Sequence, residues 1–371
     1  MNNKQKIIIS VTNDLVADKR VNKVAGSLIK FGFDVLLVGR KLPGSLPINF
    51  SFKTHRFKLL FNKGVMFYAC YNMRLFFFLL FAKADIFLSN DLDTLPANFL
   101  ASKFRKKKLV YDSHEYFTEV PELVNRPKIK HIWEKIEKFI LPKIEYSYTV
   151  CRLISEIYSK KYNIEMKVVR NIPECELFIK DIKPVFPDAI KNKKIILYQG
   201  AVNIGRGIEH LIEAMQFVEN AVFVIIGNGD IKNLLEEKVK ELQVSDKVFF
   251  LGKIPFDILH AYTQKADIGI SLEENIGLNY YYALPNKLFD YIRANVPVLA
   301  SKLPEIENIV KTYDIGCFIE NHTPEHIAEK LNFMLNSPDK MQIWKDNLKK
   351  ASAELCWEDE EQVLKEIFLN L

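Results

Sequence analysis

The sequence predicts an α/β protein with two parallel, helix-covered sheets, arranged as two Rossmann-like domains. Short β-branched runs alternate with helical stretches along the whole chain, and this alternation stops and restarts near residue 172. The chain has 371 residues and 49% apolar composition, which is enough for two ordinary cores. Because strand-helix-strand units make right-handed crossovers, each series of runs should build one sheet.

The predicted strands form two series of buried runs. The first series consists of residues 6–11, 34–39, 85–89, 108–112 and 148–151. The second series consists of residues 194–200, 221–229, 247–252, 266–272, 296–301 and 316–320. Turn-forming residues separate the two series: Asn171, Pro173, Pro184 and Pro187. We therefore predict domains at 1–172 and 173–355, joined by a linker near 172–190.

Cysteine usage and the N-terminus favour a metal-free protein of the reducing cytoplasm. The five cysteines are far apart, with no CxxC motif and no histidine at metal-ligand spacing: Cys70, Cys151, Cys175, Cys317 and Cys356. The apolar stretch Ile7–Val11 covers five residues. A signal peptide needs an apolar region of about 7 to 15 residues, so secretion is not expected.

Charge is distributed unevenly along the chain. Residues 1–172 carry 30 Lys and Arg against 15 Asp and Glu, whereas residues 173–371 carry 22 against 31. A basic first half indicates an anionic partner, such as a membrane surface, a phosphate-bearing lipid or nucleic acid. The alternative is a solvated basic face with no partner.

The helical stretch 65–82 is nearly apolar enough to span a membrane, but Asn72 and Arg74 interrupt it. A buried or interfacial helix is favoured over a spanning one. Together with the basic run 103–108, the stretch allows peripheral attachment to an anionic membrane. The alternative is a helix packed on both faces inside its domain.

Two segments of the second half are suited to binding a nucleoside diphosphate, because ligands of open parallel sheets bind where strands lead into helices. In 198–215, Gly205 and Gly207 flank Arg206 at a helix start, where a guanidinium can bind a phosphate. In 284–301, Lys287 can meet a diphosphate and Asp290 can accept hydrogen bonds from ribose hydroxyls. The alternatives are a surface turn and a solvent-facing helical pair. A GxGxxG motif follows neither 194–200 nor 221–229, which argues against an ordinary dinucleotide site.

The segment PNKLFDYIRANVPVLAS (285–301) strongly resembles the donor-site helix of GT-B-fold glycosyltransferases related to family 4. Residues 89–119, 198–214 and 262–272 resemble other parts of that family in the same order, so the likeness spans nearly the whole chain. The resemblance implies two Rossmann-like domains facing across a cleft, with acceptor bound by the first and nucleotide sugar by the second. It also implies retention of anomeric configuration, no bound metal or other cofactor, and a last segment, 356–371, that crosses back to the first domain.

In this resemblance Asp290 matches the second acid of the E-x7-E motif, which holds the donor ribose. The first acid is replaced by Tyr282, with Glu273 and Glu274 further upstream, and the usual Arg after the strand's glycine is replaced by Ala201. Arg206 and Lys287 are left to neutralise the diphosphate. The predicted donor-binding residues are Gly200, Arg206, Asn228, Lys253, Ile254, Asn286, Lys287, Leu288 and Asp290.

In the first half, the segment YDSHE (111–115) resembles one that brings a histidine to the cleft. His114 is the candidate for contact with the donor sugar and the reacting centre, and Glu115 is the candidate to orient it. Asp91 and Asp93 are interpreted as residues that orient neighbours or acceptor hydroxyls. Acceptor-binding residues are predicted at Asn13, Asp14, Arg20 and Asp91, the alternative for the first three being helix capping and salt bridging.

The expected reaction is transfer of a sugar from a nucleotide-diphosphate donor to the hydroxyl of a glycan or lipid-linked acceptor. No side-chain nucleophile stands out, so Arg206, Lys287, His114 and Glu115 are the predicted catalytic residues, and catalysis should be mainly electrostatic. Three alternatives remain: a nucleotide-sugar epimerase of the same fold, a non-catalytic partner subunit, and nucleic-acid binding by the basic half. The basic half lacks interleaved aromatic motifs of a known kind, so a nucleic-acid partner is not expected.

Overall fold

The computed structural model describes residues 4–16, 18–124, 126–175 and 182–371. The chain divides into two compact units: unit 1 comprises Met1–Asn171 with Glu360–Leu371, and unit 2 comprises Ile172–Asp359. Unit 1 holds a seven-stranded sheet and unit 2 a six-stranded one. The predicted α/β class with two parallel sheets is therefore confirmed. Part of the predicted linker, 176–181, lies outside the described residues.

The sheet of unit 1 is parallel throughout, with strand order β3-β2-β1-β4-β5-β6-β7. Its strands are Lys6–Asp14 (β1), Asp34–Arg40 (β2), Lys53–Phe57 (β3), Ile86–Asn90 (β4), Lys108–Ser113 (β5), Tyr146–Thr149 (β6) and Lys167–Val168 (β7). All five predicted strands occur. The two that the pattern missed are the edge strands β3 and β7, the first polar on alternate residues and the second two residues long.

Six helices of unit 1 connect or flank these strands: Lys19–Lys30 (α1), Gly64–Phe81 (α2), Asp91–Arg105 (α3), Pro121–Val124 (α4), Pro127–Ile140 (α5) and Arg152–Tyr162 (α6). Helix α1 begins after Asp18, whose side chain accepts a hydrogen bond from the Val21 amide and so caps the first turn. Helix α2 is long and apolar enough to cross a membrane, with a mean hydropathy of 1.5, and 22% of it is buried within the protein.

The sheet of unit 2 has the order β10-β9-β8-β11-β12-β13 and is also parallel. Its strands are Lys194–Gln199 (β8), Ala221–Ile226 (β9), Val248–Gly252 (β10), Ile268–Ser271 (β11), Val298–Ser301 (β12) and Gly316–Ile319 (β13). All six correspond to predicted strands. Eight helices follow in chain order: Ile208–Ala214 (α7), Lys232–Glu241 (α8), Phe256–Thr263 (α9), Leu278–Tyr281 (α10), Asn286–Arg293 (α11), Pro304–Tyr313 (α12), Pro324–Leu335 (α13) and Pro338–Glu354 (α14).

Each sheet has one point where the strand order reverses direction. In unit 1 this point lies between β1 and β4, and in unit 2 between β8 and β11. Because the loops that leave neighbouring strands diverge there, a crevice opens beyond the carboxyl ends of the two strands. A ligand site in unit 2 is therefore expected at the residues just after β8 and β11.

The last helix, Trp357–Leu369 (α15), begins in unit 2 and continues in unit 1. Within unit 1, Phe368 packs edge-on against Phe33 at a centroid distance of 6.1 Å. The carboxylate of Glu360 accepts hydrogen bonds from the backbone amide of Arg170 at 2.6 Å and from its Nε at 2.8 Å. The end of the chain is thus fixed to the body of unit 1 by both apolar and charged contacts.

The expectation that all the cysteines are free is wrong for two of them. The structure joins Cys175 to Cys356 in a disulfide, across a sequence separation of 181 residues. The Cys175 amide donates to a carboxylate oxygen of Glu358 at 2.9 Å, and the two sulfurs and a Glu358 oxygen lie within 4.8 Å of one another. Sequence spacing could not show this pairing, because the two cysteines meet only where the chain returns to α15.

Candidate functional site

The carboxyl end of β8 is built for a close approach of two loops. Gly200 follows the strand with a φ of +138°, and a Cβ on Gly227, which follows β9, would lie 1.8 Å from the Gly200 carbonyl oxygen. Any side chain at Gly227 would therefore push the loops apart. Asn228 strengthens the contact, because its carbonyl accepts a hydrogen bond from the Val202 amide at 3.1 Å.

Arg206 lies in the loop between β8 and α7. Its neighbours Gly205 and Gly207 have φ values of +79° and +71°, so the turn that presents Arg206 depends on residues without a Cβ. The guanidinium lies over the Tyr280 ring, with Cζ 4.7 Å from the ring centroid. Its Nε is buried and has no hydrogen-bond partner among the described residues. An unpaired buried N–H on a cation is suited to an anionic ligand.

Lys287 lies in the first turn of α11 and is buried. Its Nζ lies 2.7 Å from Glu273 Oε1 and 4.1 Å from the centroid of the Tyr198 ring. The pKa of Lys287 is lowered to about 8, mainly by burial. Glu273 opposes this change, and the nearby Arg206 adds to it. The lysine is thus held as a cation mainly by one carboxylate.

Glu273 is the site residue that sequence reasoning did not assign. It lies two residues beyond the end of β11, is fully buried, and accepts a hydrogen bond from Ser271 Oγ at 2.7 Å. Its Oε1 faces both Lys287 and Arg206, the latter at 3.8 Å. Burial raises the pKa of Glu273, but the two cations outweigh it and leave the pKa below its ordinary value. Its position just after a strand next to the topological switch point was the signal that could have found it.

Asp290 lies one turn beyond Lys287 on α11 and is half-buried. Its Oδ2 accepts a hydrogen bond from Gln199 Nε2 at 2.8 Å, and Gln199 Oε1 in turn accepts one from Thr263 at 2.7 Å. The last residue of β8 therefore fixes the carboxylate in place. The structure gathers Gly200, Arg206, Lys287 and Asp290 around the ends of β8 and β11.

The remaining predicted donor residues differ in what their side chains can do. The side chain of Leu288 is fully buried in the core of unit 2, and its contact with a donor stays a prediction. Ile254 packs against the same core, whereas Lys253 and Asn286 are exposed. Asn228 Oδ1 accepts a hydrogen bond from the next amide, which stabilises its own loop.

The two departures from the family pattern have structural roles. The carbonyl of Ala201 accepts a hydrogen bond from the Tyr198 hydroxyl at 2.6 Å. Tyr282 ends α10 and packs edge-on against Tyr281 at 5.0 Å. Glu273 does not take the place of the acid missing at position 282, because its carboxylate is fully buried and contacts Lys287.

Unit 1 has its own polar cluster around His114, beyond the end of β5. His114 Nε2 lies 3.1 Å from Asn90 Oδ1 and 3.2 Å from Asp112 Oδ2, and Nδ1 lies 3.4 Å from Asp91 Oδ2. Burial alone would lower the pKa of His114, but the two carboxylates raise it to about 9. Asp91 and Asp112 orient His114 through these contacts, and the orienting role of Glu115 stays a prediction.

Arg20 is a buried structural partner of Asp112. Its Nε and Nη2 donate to the two carboxylate oxygens at 3.1 and 2.8 Å, and Nη1 donates to the Val169 carbonyl at 2.8 Å. Burial raises the pKa of Asp112, but Arg20 and His114 bring it down to about 2. Only 4% of Arg20 is exposed, which favours the salt-bridge alternative, and the contact with an acceptor stays a prediction.

The other predicted acceptor residues lie near the ends of β1 and β4. Asn13 is exposed and donates to Asp18 at 3.2 Å, while Asp14 pairs with Arg56 at 3.5 Å. Asp91 begins α3 with a left-handed φ of 55°, and its Oδ1 accepts a hydrogen bond from the His114 amide. The strained backbone of Asp91 is thus used to hold His114.

Two parallel sheets, each with a polar cluster beyond its strand ends, have the architecture of the GT-B fold. Residues 180–351 match the family described as Glycosyl transferases group 1. A sucrose-phosphate synthase structure from Thermosynechococcus elongatus superposes with a TM-score of 0.80 over 99% of both chains at 17% identity. A structure of HepE from Anabaena in complex with UDP-glucose gives 0.75 over 99% of this chain and all of the other, at 14% identity. Identities this low show the fold alone, and the predicted GT-B fold is confirmed.

Similar sequences include two glycosyltransferases. An uncharacterised glycosyltransferase of Methanocaldococcus jannaschii is 32% identical over 142 residues, which cover 37% of this chain and 34% of that protein. A Campylobacter jejuni α-1,4-N-acetyl-D-galactosaminyltransferase, whose name gives a PP-undecaprenol-linked glycan, is 24% identical over 299 residues, or 78% of this chain and 75% of the relative. The chain therefore spans about a third of the first relative and three quarters of the second.

Proposed function

We propose that the protein transfers a sugar from a nucleoside-diphosphate donor to a hydroxyl group of a glycan or lipid-linked acceptor. The observation that carries this is the cationic cluster of unit 2, in which Lys287 and Arg206 share a single carboxylate, Glu273. The three groups together retain one net positive charge, and Arg206 Nε has no partner within the described chain. A diphosphate supplies the missing negative charge and the missing acceptor atoms.

Chemically, breaking the bond between the anomeric carbon and the diphosphate places negative charge on the departing oxygens. Arg206 and Lys287 stabilise that charge more in the transition state than in the bound donor, which lowers the barrier. Asp290, fixed by Gln199, accepts hydrogen bonds from the ribose hydroxyls. We propose transfer with retention of configuration and without a resident metal ion, since two protein cations already serve the diphosphate.

The donor role belongs to unit 2 in this proposal and the acceptor role to unit 1. The His114 cluster supports this assignment, because Asp91 and Asp112 hold the imidazole in one orientation beyond the strand ends of unit 1. The relative from Campylobacter jejuni supports a lipid-linked acceptor for this chain. We place the protein in the cytoplasm, at the inner face of the membrane that would hold such an acceptor.

Helix α2 supports peripheral membrane contact. Its outer face exposes large apolar side chains, including Phe77 at 55% and Phe81 at 84%, and Phe76 contacts the exposed Phe104 of α3 at 6.0 Å. The basic run 103–108 adjoins this apolar surface. Apolar rings bordered by lysines fit the surface of an anionic bilayer.

The donor site is tested by melting the purified protein with UDP, GDP, CDP, ADP or dTDP. At about 100 times its dissociation constant, a nucleotide that binds only the folded state adds about 2.7 kcal/mol of stability. We expect one nucleotide to raise the melting temperature by several degrees in the wild type and in the control Lys302→Ala, which removes an exposed lysine paired with Glu320. Asp290→Ala and Arg206→Ala should lose the shift. Equal shifts in all four proteins would contradict the site.

The reaction is tested by incubating the protein with lipid-linked acceptors and a nucleoside-diphosphate sugar that carries the base so identified and a radiolabel in the sugar. Label should move to the acceptor, and Lys287→Ala should reduce the rate far more than it reduces stability. Conversion of the donor with no acceptor present would instead favour an epimerase, and a bound donor that is never consumed would favour a non-catalytic subunit.

Membrane contact is tested by sedimentation with vesicles of phosphatidylglycerol and phosphatidylcholine. The wild type should sediment with anionic vesicles and be released by salt. The double change Phe77→Glu and Phe81→Glu should abolish binding, whereas Phe333→Glu, at a side chain of unit 2 with 46% exposure, should not. Identical sedimentation of the three proteins would exclude the α2 face.

A further inference from the structure

One group at the donor site has no role in the proposed reaction. Glu273 is an acid buried within an anion-binding cluster, where its charge repels the very ligand that the site binds. Its carboxylate is held in place by Ser271 and lies against Lys287 and Arg206. Burying a carboxylate is costly unless cations pair with it, so a pairing built into the site needs an explanation.

We propose that Glu273 is a positioning residue that keeps Lys287 in its ammonium form and orients it, together with Arg206, toward the donor diphosphate. This inference rests on the proposed function. Glu273 acts through the two cations and contacts neither the sugar nor the nucleotide.

The geometry identifies the groups that face Lys287 from each neighbouring element. The Tyr198 ring of β8 lies below the ammonium group, Arg206 approaches from the loop before α7, and Glu273 approaches from the end of β11. Tyr198 contributes a ring face, which attracts a cation only weakly compared with a carboxylate. Glu273 is therefore the main group that favours the charged form of the lysine.

Removing this carboxylate has opposite consequences at low and high pH. The pKa of Lys287, about 8 in the intact site, would fall because burial and Arg206 both lower it and nothing of equal strength opposes them. Below the new pKa the lysine stays charged, and loss of the repelling acid leaves diphosphate affinity unchanged or higher. Above the new pKa the lysine of the variant is neutral. The diphosphate affinity of the variant relative to that of the wild type then falls about tenfold per pH unit, until the wild-type lysine also loses its proton.

The experiment is a calorimetric titration of wild type and Glu273→Gln at pH 6.5, 7.5 and 8.5. The probe is whichever of UDP, GDP, CDP, ADP and dTDP binds the wild type most tightly at pH 7.5. Because the two proteins are compared at the same pH, ionisation of the nucleotide cancels from the ratio of their dissociation constants. We expect this ratio to be near or below two at pH 6.5 and to rise by about tenfold by pH 8.5.

Two controls separate positioning from a general structural effect. Glu274→Gln removes the adjacent acid, which pairs with His210 at 3.6 Å, and its ratio to wild type should not change with pH. In a Lys287→Met background, Glu273→Gln should also give a ratio that is independent of pH, because no lysine remains to titrate. A ratio that rises with pH in that background would overturn the inference.

The outcomes distinguish the inference from the function on which it rests. Nucleotide binding by the wild type, with a constant ratio for Glu273→Gln, would overturn the role of Glu273 and leave the donor site standing. A wild type that binds none of the five nucleotides would overturn the donor site itself. If Glu273→Gln fails to fold, Ser271→Ala loosens the same carboxylate, and the ratio should rise with pH in the same direction by a smaller factor; a flat ratio would count against the proposal.

Discussion

Replacing His114 by Gln should remove a pH-dependent part of the stability of unit 1. The pKa of His114 is raised from its ordinary 6.5 to about 9, because Asp91 and Asp112 outweigh the cost of burial. A histidine with a raised pKa binds its proton more tightly in the folded state. Its contribution is complete below pH 6.5 and is lost as the pH rises through 9.

The magnitude follows from the size of this change. Raising the pKa from 6.5 to about 9, at about 1.4 kcal/mol per pH unit, corresponds to about 3.5 kcal/mol. The expected contribution is below this limit, about 3 kcal/mol, because the two carboxylates share the interaction. The histidine side chain is 18% exposed, so solvent screening removes little of it. Gln keeps a hydrogen-bonding group in the cluster but cannot titrate, so the variant should be less stable at pH 6 and nearly equal to the wild type at pH 10.

Hydrogen exchange of the amides in β4 and β5 measures the stability of this unit directly. The wild type should lose up to about 3 kcal/mol of protection between pH 6 and pH 10, after correction for the intrinsic exchange rate, and His114→Gln should lose much less. His131→Gln, on the outer face of α5 where the side chain is 63% exposed, is the matched control and should follow the wild type. Parallel curves for wild type and His114→Gln would refute the reasoning.

Three further changes have expected outcomes. Arg20→Ala leaves Asp112 buried without its guanidinium and should cost about 3 to 5 kcal/mol in urea unfolding; a loss below 1 kcal/mol would contradict a buried pair. Gly227→Ala should abolish the nucleotide-induced rise in melting temperature, whereas Gly26→Ala, where a Cβ meets no atom within 4 Å, should preserve it. Cys175→Ser should lower the melting temperature in the absence of reductant, because the disulfide closes a loop of 181 residues and its loss removes up to about 5 kcal/mol of stability. The difference from wild type should vanish in dithiothreitol.

The strands of both sheets could be predicted because parallel strands are buried on both faces and therefore appear as continuous apolar runs. Strand β3 did not show this signal, since its first four residues are polar and only its last residue, Phe57, is buried. Helix α2 was harder to interpret. Its apolar residues surround the helix, so periodicity could not tell which side faces the core.

The donor site could be predicted in part because glycines and a helix start mark Arg206 and Lys287 locally. Glu273 could not, since the expected acid was located by its spacing from Asp290 along the chain. The structure supplies the carboxylate from the end of β11 instead, where it reaches Lys287 through space at 2.7 Å. The pairing of Arg20 with Asp112 was equally invisible, because 92 residues separate the partners.

Both units contain a buried acid that lies between two basic groups, and the difference between these clusters explains which of them can bind an anion. In unit 1, the Arg20 guanidinium donates two hydrogen bonds to Asp112. His114 lies against a second carboxylate, that of Asp91, so each of these charged groups has a partner. In unit 2, Glu273 contacts Lys287 closely but reaches Arg206 only at 3.8 Å. The guanidinium is 26% exposed and keeps an unpaired N–H among the described contacts. A second acid neutralises the cluster of unit 1, whereas the cluster of unit 2 keeps a positive charge that a diphosphate can neutralise.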